Sequence, residues 1–217
     1  MSAGEHFWSY GRSMQAAHPF SPADLLRAVE DRIVLRGLCW EDYLALLAAR
    51  PGRWPRITYL DGEIELIMPS DGHEWIKKTT ARLVEAYAEE HDLSFNGTGS
   101  RTLKRRAKQA GAEADESYLL GPVSGMPDLA LEVSWSRNAL NKLEVYRRLG
   151  VGEVWIWNKG AFQVHVLRAA RYVRVAKSEL LPELDLEWLA TFLHTDDQTA
   201  AVKRFRKALR ARKRRAK

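Results

Sequence analysis

Apolar residues recur along this chain in two rhythms, one helical and one alternating, and their order predicts an α/β protein. From Trp40 to Ala49, Tyr43, Leu44 and Leu47 keep helical spacing, and the run stops before Pro51-Gly52. The following stretch, Ile57-Thr-Tyr-Leu-Asp-Gly-Glu-Ile-Glu-Leu-Ile-Met, alternates instead. Asp61-Gly62 between its two halves predicts a two-residue hairpin with a type I′ turn. Period two puts Ile64, Leu66 and Met68 on one face and Glu63 and Glu65 on the other. Those glutamates read either as a solvated hairpin face, the usual arrangement in antiparallel pairs, or as part of an acidic cluster.

A helix is predicted from about His73 to His91, with Ile76, Leu83 and Tyr87 near one stripe. Leu93 to Leu103 reads as one or two short strands around Gly97 and Gly99, and Glu113–Leu120 as a strand. The loop Gly121-Pro-Val-Ser-Gly-Met-Pro leads to Asp128–Ser134, a mostly apolar stretch expected of a buried central strand. A helix starting at Ser136 or Asn138 then carries Leu140, Leu143, Tyr146 and Leu149, and Gly150 suits its C-cap. Glu153–Trp157 returns as a strand, so strand–helix–strand order predicts a right-handed parallel crossover. Phe162–Leu167 and Tyr172–Val175 make a closing hairpin. Leu180–Leu189 looks like an edge segment leading into a last packing helix.

The first 20 residues hold aromatics without a sustained period and predict a flexible arm. Ser21-Pro22 suits a helix start, with Leu25, Leu26 and Val29 inward. The expected organisation is an arm over 1–20, a domain over 21–195 and a basic helix or tail over 196–217. At 46% hydrophobic content, 217 residues suffice for a substantial core. The single cysteine, Cys39, excludes an intrachain disulfide framework and fits a reducing cytoplasm. Met1-Ser-Ala-Gly-Glu-His does not read as a signal peptide, and no apolar stretch approaches the roughly 18–20 residues needed to cross a bilayer.

Charge is unevenly placed. Of the net +6, ten basic residues and no acid fall between Lys203 and Lys217, leaving 24 basic and 28 acidic residues elsewhere. Lys203, Arg204, Arg206 and Lys207 are therefore candidates for a nucleic-acid-binding arm, against the alternative of a solubilising tail. Val202, Phe205 and Leu209 at helical spacing would dock this segment on the body or on a partner chain. Arg101, Lys104, Arg105 and Arg106 form a second basic patch, read as a phosphate-binding surface or as an exposed turn.

Candidate chemistry concentrates between Glu113 and Trp157. Asp115 and Glu132 fall on neighbouring predicted strands. Parity puts Asp128, Ala130, Glu132 and Ser134 on one face, with Leu129, Leu131 and Val133 on the other. A glutamate midway through a buried strand calls for a cation, either an arginine or a metal ion. Lys142, expected one turn into the next helix, reads as an exposed helix lysine or as an ammonium orienting water beside a phosphate. Asp71-Gly-His-Glu fits a capping box with Asp71 as N-cap and Glu74 reaching back; alternatively Glu74 completes a metal site. His73 is a structural histidine, a proton shuttle or a phosphate contact.

Asp115, the Glu132-Val segment, Lys142-Leu-Glu-Val-Tyr and Gly150-Val-Gly-Glu-Val-Trp together resemble the Uma2 family within the PD-(D/E)XK nuclease superfamily. Asp61-Gly-Glu, Met68-Pro-Ser, His73-Glu74 and Leu181-Pro-Glu-Leu-Asp-Leu add to the resemblance, which spans about Trp40 to Leu193. It implies a restriction-endonuclease-like mixed sheet flanked by helices, with an α-β-β-β-α-β core. It further implies Mg²⁺-dependent cleavage of DNA, with Mn²⁺ as a substitute. Asp115 and Glu132, assisted by Glu74, would bind metal. The superfamily's lysine two positions after the glutamate is Ser134 here, and Lys142 takes the matching place from the next helix. Ala114 stands where proline is common before the aspartate. A homodimer would serve cutting of both strands. The alternative is a nuclease-fold module that binds nucleic acid without cutting it.

Overall fold

The structure, a computed structural model, describes residues 31–50, 52–134 and 141–215. The arm over 1–20, the helix expected from Ser21 and the helix start at Ser136 or Asn138 lie outside them. Among the described residues there are two β-sheets, the mixed sheet that the sequence suggested and an antiparallel one built around the hairpin. In chain order the elements begin with β1 (Asp31–Arg36), α1 (Trp40–Ala49), β2 (Arg56–Leu60), β3 (Glu63–Met68) and α2 (Asp71–Glu90). β4 (Phe95–Gly97), β5 (Thr102–Arg105), β6 (Ala110–Glu113), β7 (Glu116–Leu120) and β8 (Leu129–Val133) follow. The chain closes with α3 (Lys142–Leu149), β9 (Glu153–Asn158), β10 (Ala161–Arg168), β11 (Arg171–Val175), α4 (Leu186–Ala190) and α5 (Gln198–Arg215).

The first sheet, ordered β1-β3-β2-β6-β5, is antiparallel throughout. The second, ordered β11-β10-β9-β8-β7-β4, has one parallel pair, β8 with β9, joined through α3. The segment expected as one strand over Glu113–Leu120 breaks at Ala114-Asp115. Its first half pairs in the first sheet and its second half in the other. Small residues permit this: β6 reads Ala-Gly-Ala-Glu, and the ring of Tyr43 from α1 lies directly on Gly111.

Alternation along β8 sorts the core as expected. Leu129, Leu131 and Val133 join Trp155 and Trp157 in a cluster with Ile76, Leu83 and Tyr87 of α2 and with Phe205 and Leu209 of α5. Ala130 and Val154, on the other face, pack with Val145, Tyr146 and Leu149 of α3. The second sheet is thus covered on both sides by helices, the restriction-endonuclease-like arrangement.

The hairpin turn forms as the Asp-Gly pair dictates, with φ of 45° at Asp61 and 87° at Gly62. Its faces differ from expectation. Glu65 is fully buried and Met68 is 48% exposed. The cause is β1, a strand that the sequence reading missed. It covers β3 and brings Arg32 Nε to 3.2 Å from Glu65 Oε1. The N-cap of α2 is Ser70, whose hydroxyl accepts from the His73 N–H at 3.2 Å, so Asp71-Gly-His-Glu is not the capping box.

α5 lies along α2. Gln198 Nε2 donates to Thr79 Oγ1 at 3.0 Å, and twelve residues on Arg210 Nη2 meets Glu90 Oε1 at 2.7 Å. Hydrogen bonds from Arg210, outweighing the modest effect of burial, and from Arg206 bring the Glu90 carboxyl down to about 2. Among the described residues no helix is long and apolar enough to cross a membrane.

Two outcomes follow. Gly111→Ala forces a methyl group into the Tyr43 ring and should lower unfolding free energy by about 1–3 kcal/mol in urea denaturation. Because its folded pKa is depressed, Glu90 stabilises the fold above about pH 4.5 and ceases to do so as pH falls toward 2. Glu90→Gln should therefore unfold with a shallower pH dependence across that window, at a cost of roughly 1 kcal/mol at neutral pH.

Candidate active site

Asp115 stands where the chain passes from one sheet to the other, and the start of β2 secures that passage. Arg50 Nη1 donates to Glu113 Oε2 at 2.6 Å, and the Ile57 N–H reaches the same oxygen at 3.2 Å. Burial alone would raise the Glu113 carboxyl, but hydrogen bonds from Arg50, Thr102 and Ile57 hold it below its ordinary value. Two residues on, Asp115 is 2% exposed. Its Oδ2 accepts the Val133 N–H at 2.6 Å, tying it to the residue after Glu132. Its Oδ1 meets His73 Nε2 at 2.9 Å and the guanidinium of Arg56.

Glu132 occupies the α3 side of β8 and is 6% exposed. Tyr146 donates its hydroxyl to Glu132 Oε1, and Lys142 Nζ lies 3.4 Å from each carboxylate oxygen. Burial and the adjacent Glu132 charge push the Tyr146 phenol far above its ordinary value, so it remains a donor. Lys142 is the first residue of α3 rather than one turn in. Asn141 caps the helix by accepting the Glu144 N–H at 3.1 Å, which fixes the start there.

These groups line one cavity of about 210 Å³, which includes Asp115, Glu132, Lys142 and His73 together with Arg56 and Arg32. Three of its lining side chains are cationic and two are carboxylates. Glu74 is at the periphery, one third exposed. It bonds Arg56 Nη2 at 2.9 Å and Lys77, and it is not part of the lining. Sequence reading missed Arg56, Arg32 and the site role of Tyr146. Tyr146 had a signal, since it falls four residues after Lys142 on the same helix face. Arg56 had a weaker one, as a strand residue opposite in parity to the apolar Ile57 and Tyr59.

The predicted phosphate-binding residues sit elsewhere. Arg101 donates to the Gly125 carbonyl and Arg106 pairs with Glu41. Lys104 is exposed on β5, and the Arg105 guanidinium lies beside Gly150, at the opposite end of α3 from Lys142. Lys203, Arg204 and Lys207 are exposed, while Arg206 is held by Glu89 and Glu90. That anchorage is at the far end of α2 from His73, a span of about 25 Å at the helical rise.

The profile of the Uma2 family, described as "Putative restriction endonuclease", matches residues 40–196. The chain belongs to that family. Among solved structures, one from Anabaena variabilis ATCC 29413, titled a putative nuclease belonging to DUF820, shares 13% identity. The match covers 72% of this chain and 96% of that one, with a TM-score of 0.46. No curated protein matches.

Restriction-endonuclease-like proteins usually depend on a metal. Among the described residues no group of three or more His, Cys, Asp and Glu side chains has metal-binding spacing. The donor set of this Uma2 member nevertheless fits a hard divalent cation. Asp115 and Glu132 offer carboxylate oxygens to one cavity, and Mg²⁺ commonly takes one or two protein carboxylates and keeps several waters. Tyr146→Phe removes a donor to a charged, buried acceptor and should cost about 1.5–3 kcal/mol in equilibrium unfolding.

Proposed function

We propose that this Uma2 protein hydrolyses DNA phosphodiester bonds with Mg²⁺, or Mn²⁺ in its place. The observation that carries the reading is the convergence of Asp115, Glu132 and the Lys142 ammonium on one cavity. Asp115 and Glu132 would hold the ion. When bound, it would supply charge relief at the phosphate and a more acidic water. Lys142, bonded to Glu132 on one side and facing the cavity on the other, would orient the attacking water and offset charge gathering on the phosphorus oxygens. Tyr146 would keep Glu132 aligned, and His73 would keep Asp115 aligned. Glu74 would act on the site through Arg56 and Lys77. The excess of lining cations over lining carboxylates favours approach of a phosphate.

Asp115→Asn, Glu132→Gln and Lys142→Ala should each reduce Mg²⁺-dependent nicking of plasmid DNA by about 10²-fold or more. Binding of a short duplex in Ca²⁺ should be largely retained. Wild-type protein that binds DNA but never cuts it, with Mg²⁺ or Mn²⁺, would establish the silent binding module instead. For the basic arm, deleting 203–217 is a poor probe, because Phe205 and Leu209 belong to the core. Replacing the exposed Lys203, Arg204 and Lys207 by glutamine should weaken binding and reduce the slope of log K against log salt by about 0.9 per lost phosphate contact.

A further inference from the structure

Arg56 takes no direct part in the metal chemistry above, yet it holds the oxygen that chemistry needs. Asp115 Oδ2 is turned to the backbone of β8, where it accepts the Val133 N–H at 2.6 Å. Oδ1 is the oxygen left for a cation, and the Arg56 guanidinium is against it, beside His73 Nε2 at 2.9 Å. Two positive charges compete for one buried carboxylate oxygen, because each loses its hydration there and each repels the other. Nor can Asp115 stay buried without a cation, since a lone carboxylate at that depth is costly.

Arg56 has somewhere else to go. Its Nη2 donates to Glu74 Oε1 at 2.9 Å, at the outer edge of the site, and its guanidinium carbon is 5.0 Å from the centre of the Trp54 ring. Its planar fork therefore spans a buried acid and an outer acid, with an aromatic face alongside. It also lines the cavity that Lys142 faces, within reach of an oxyanion there.

We propose that Arg56 is the resident counter-ion of Asp115 and exchanges with the divalent cation when a phosphate enters. The oxyanion draws the guanidinium off Oδ1, and the released carboxylate takes the metal ion. Metal and phosphate then bind cooperatively, each raising affinity for the other by the same factor. This rests on the metal-site reading of Asp115.

The test is Mn²⁺ binding by the full chain, read from the EPR signal of free Mn²⁺, without DNA and without turnover. Arg56→Met should bind Mn²⁺ roughly 5- to 150-fold more tightly than wild type, the usual range of such coupling. The gain should vanish in the double variant with Asp115→Asn. Sodium sulfate, as a tetrahedral oxyanion at matched ionic strength, should tighten Mn²⁺ binding in wild type and not in Arg56→Met. Should Arg56→Met fail to fold, Arg56→Lys carries the test. It keeps the charge, loses the fork, and should also bind Mn²⁺ more tightly than wild type. Equal Mn²⁺ affinity in wild type and the Arg56 variants, abolished in both by Asp115→Asn, overturns the exchange while the metal site stands. Sulfate that leaves wild-type affinity unchanged overturns the coupling. Mn²⁺ affinity indifferent to Asp115→Asn overturns the metal site itself, and the exchange with it.

Discussion

The structure turns on a carboxylate buried at a seam. Asp115 is nearly inaccessible, and a charge at that depth is tolerated only if its hydrogen-bonding capacity is met. Three elements meet it: the backbone of β8, the Arg56 side chain of β2 and His73 in the first turn of α2. The acid is therefore a fastener as well as a chemical group. It joins the strand that opens the first sheet's hairpin to a central strand of the second sheet, and it fixes the entry of α2. The same logic recurs two residues earlier, where Glu113 takes Arg50 and the Ile57 N–H. Consecutive residues of β2 thus hold the two acids that flank Ala114, and the bend between sheets is braced on both sides.

That bracing positions the rest of the site. With Asp115 bonded to the Val133 N–H, its carboxylate is held one residue along the strand from Glu132. The parallel pairing of β8 with β9 requires a crossover, and α3 supplies it while covering the face on which Glu132 lies. Tyr146 and Lys142, four apart on α3, then reach that carboxylate together. One donor is neutral and buried, and the other is charged and faces the cavity. A side chain held from two directions loses little additional freedom when a ligand arrives, which is the advantage of a preorganised polar site.

Much of this was legible in the sequence, and the failures have identifiable causes. The Asp-Gly turn, the β8 parity and the Gly150 cap follow from local backbone chemistry, so pattern alone sufficed. Asp31–Arg36 was missed because its charged ends hide a short apolar centre. With it went the neighbour that buries Glu65, so the hairpin face was read as solvated. The break at Ala114-Asp115 has no local signature either. It is decided by the close approach of Tyr43 to Gly111 and by which strands compete for each half. Arg56 was passed over for the same reason: nothing in Arg-Ile-Thr-Tyr-Leu tells that two acids, 18 and 59 positions later, converge on its first residue.

Charge placement separates gripping from chemistry. At the cavity, a phosphate would be met by Arg56, Arg32 and Lys142, side chains that are each paired with an acid before it arrives. The basic stretch of α5 is secured to the far end of α2 by Arg206 and Arg210 on Glu90, so its exposed lysines are carried on a fixed support. Affinity from a contact at α5 does not require a contact at Lys142, and an ionic grip of that kind carries no base information. Sequence preference in such a protein has to arise from contacts other than that ionic grip.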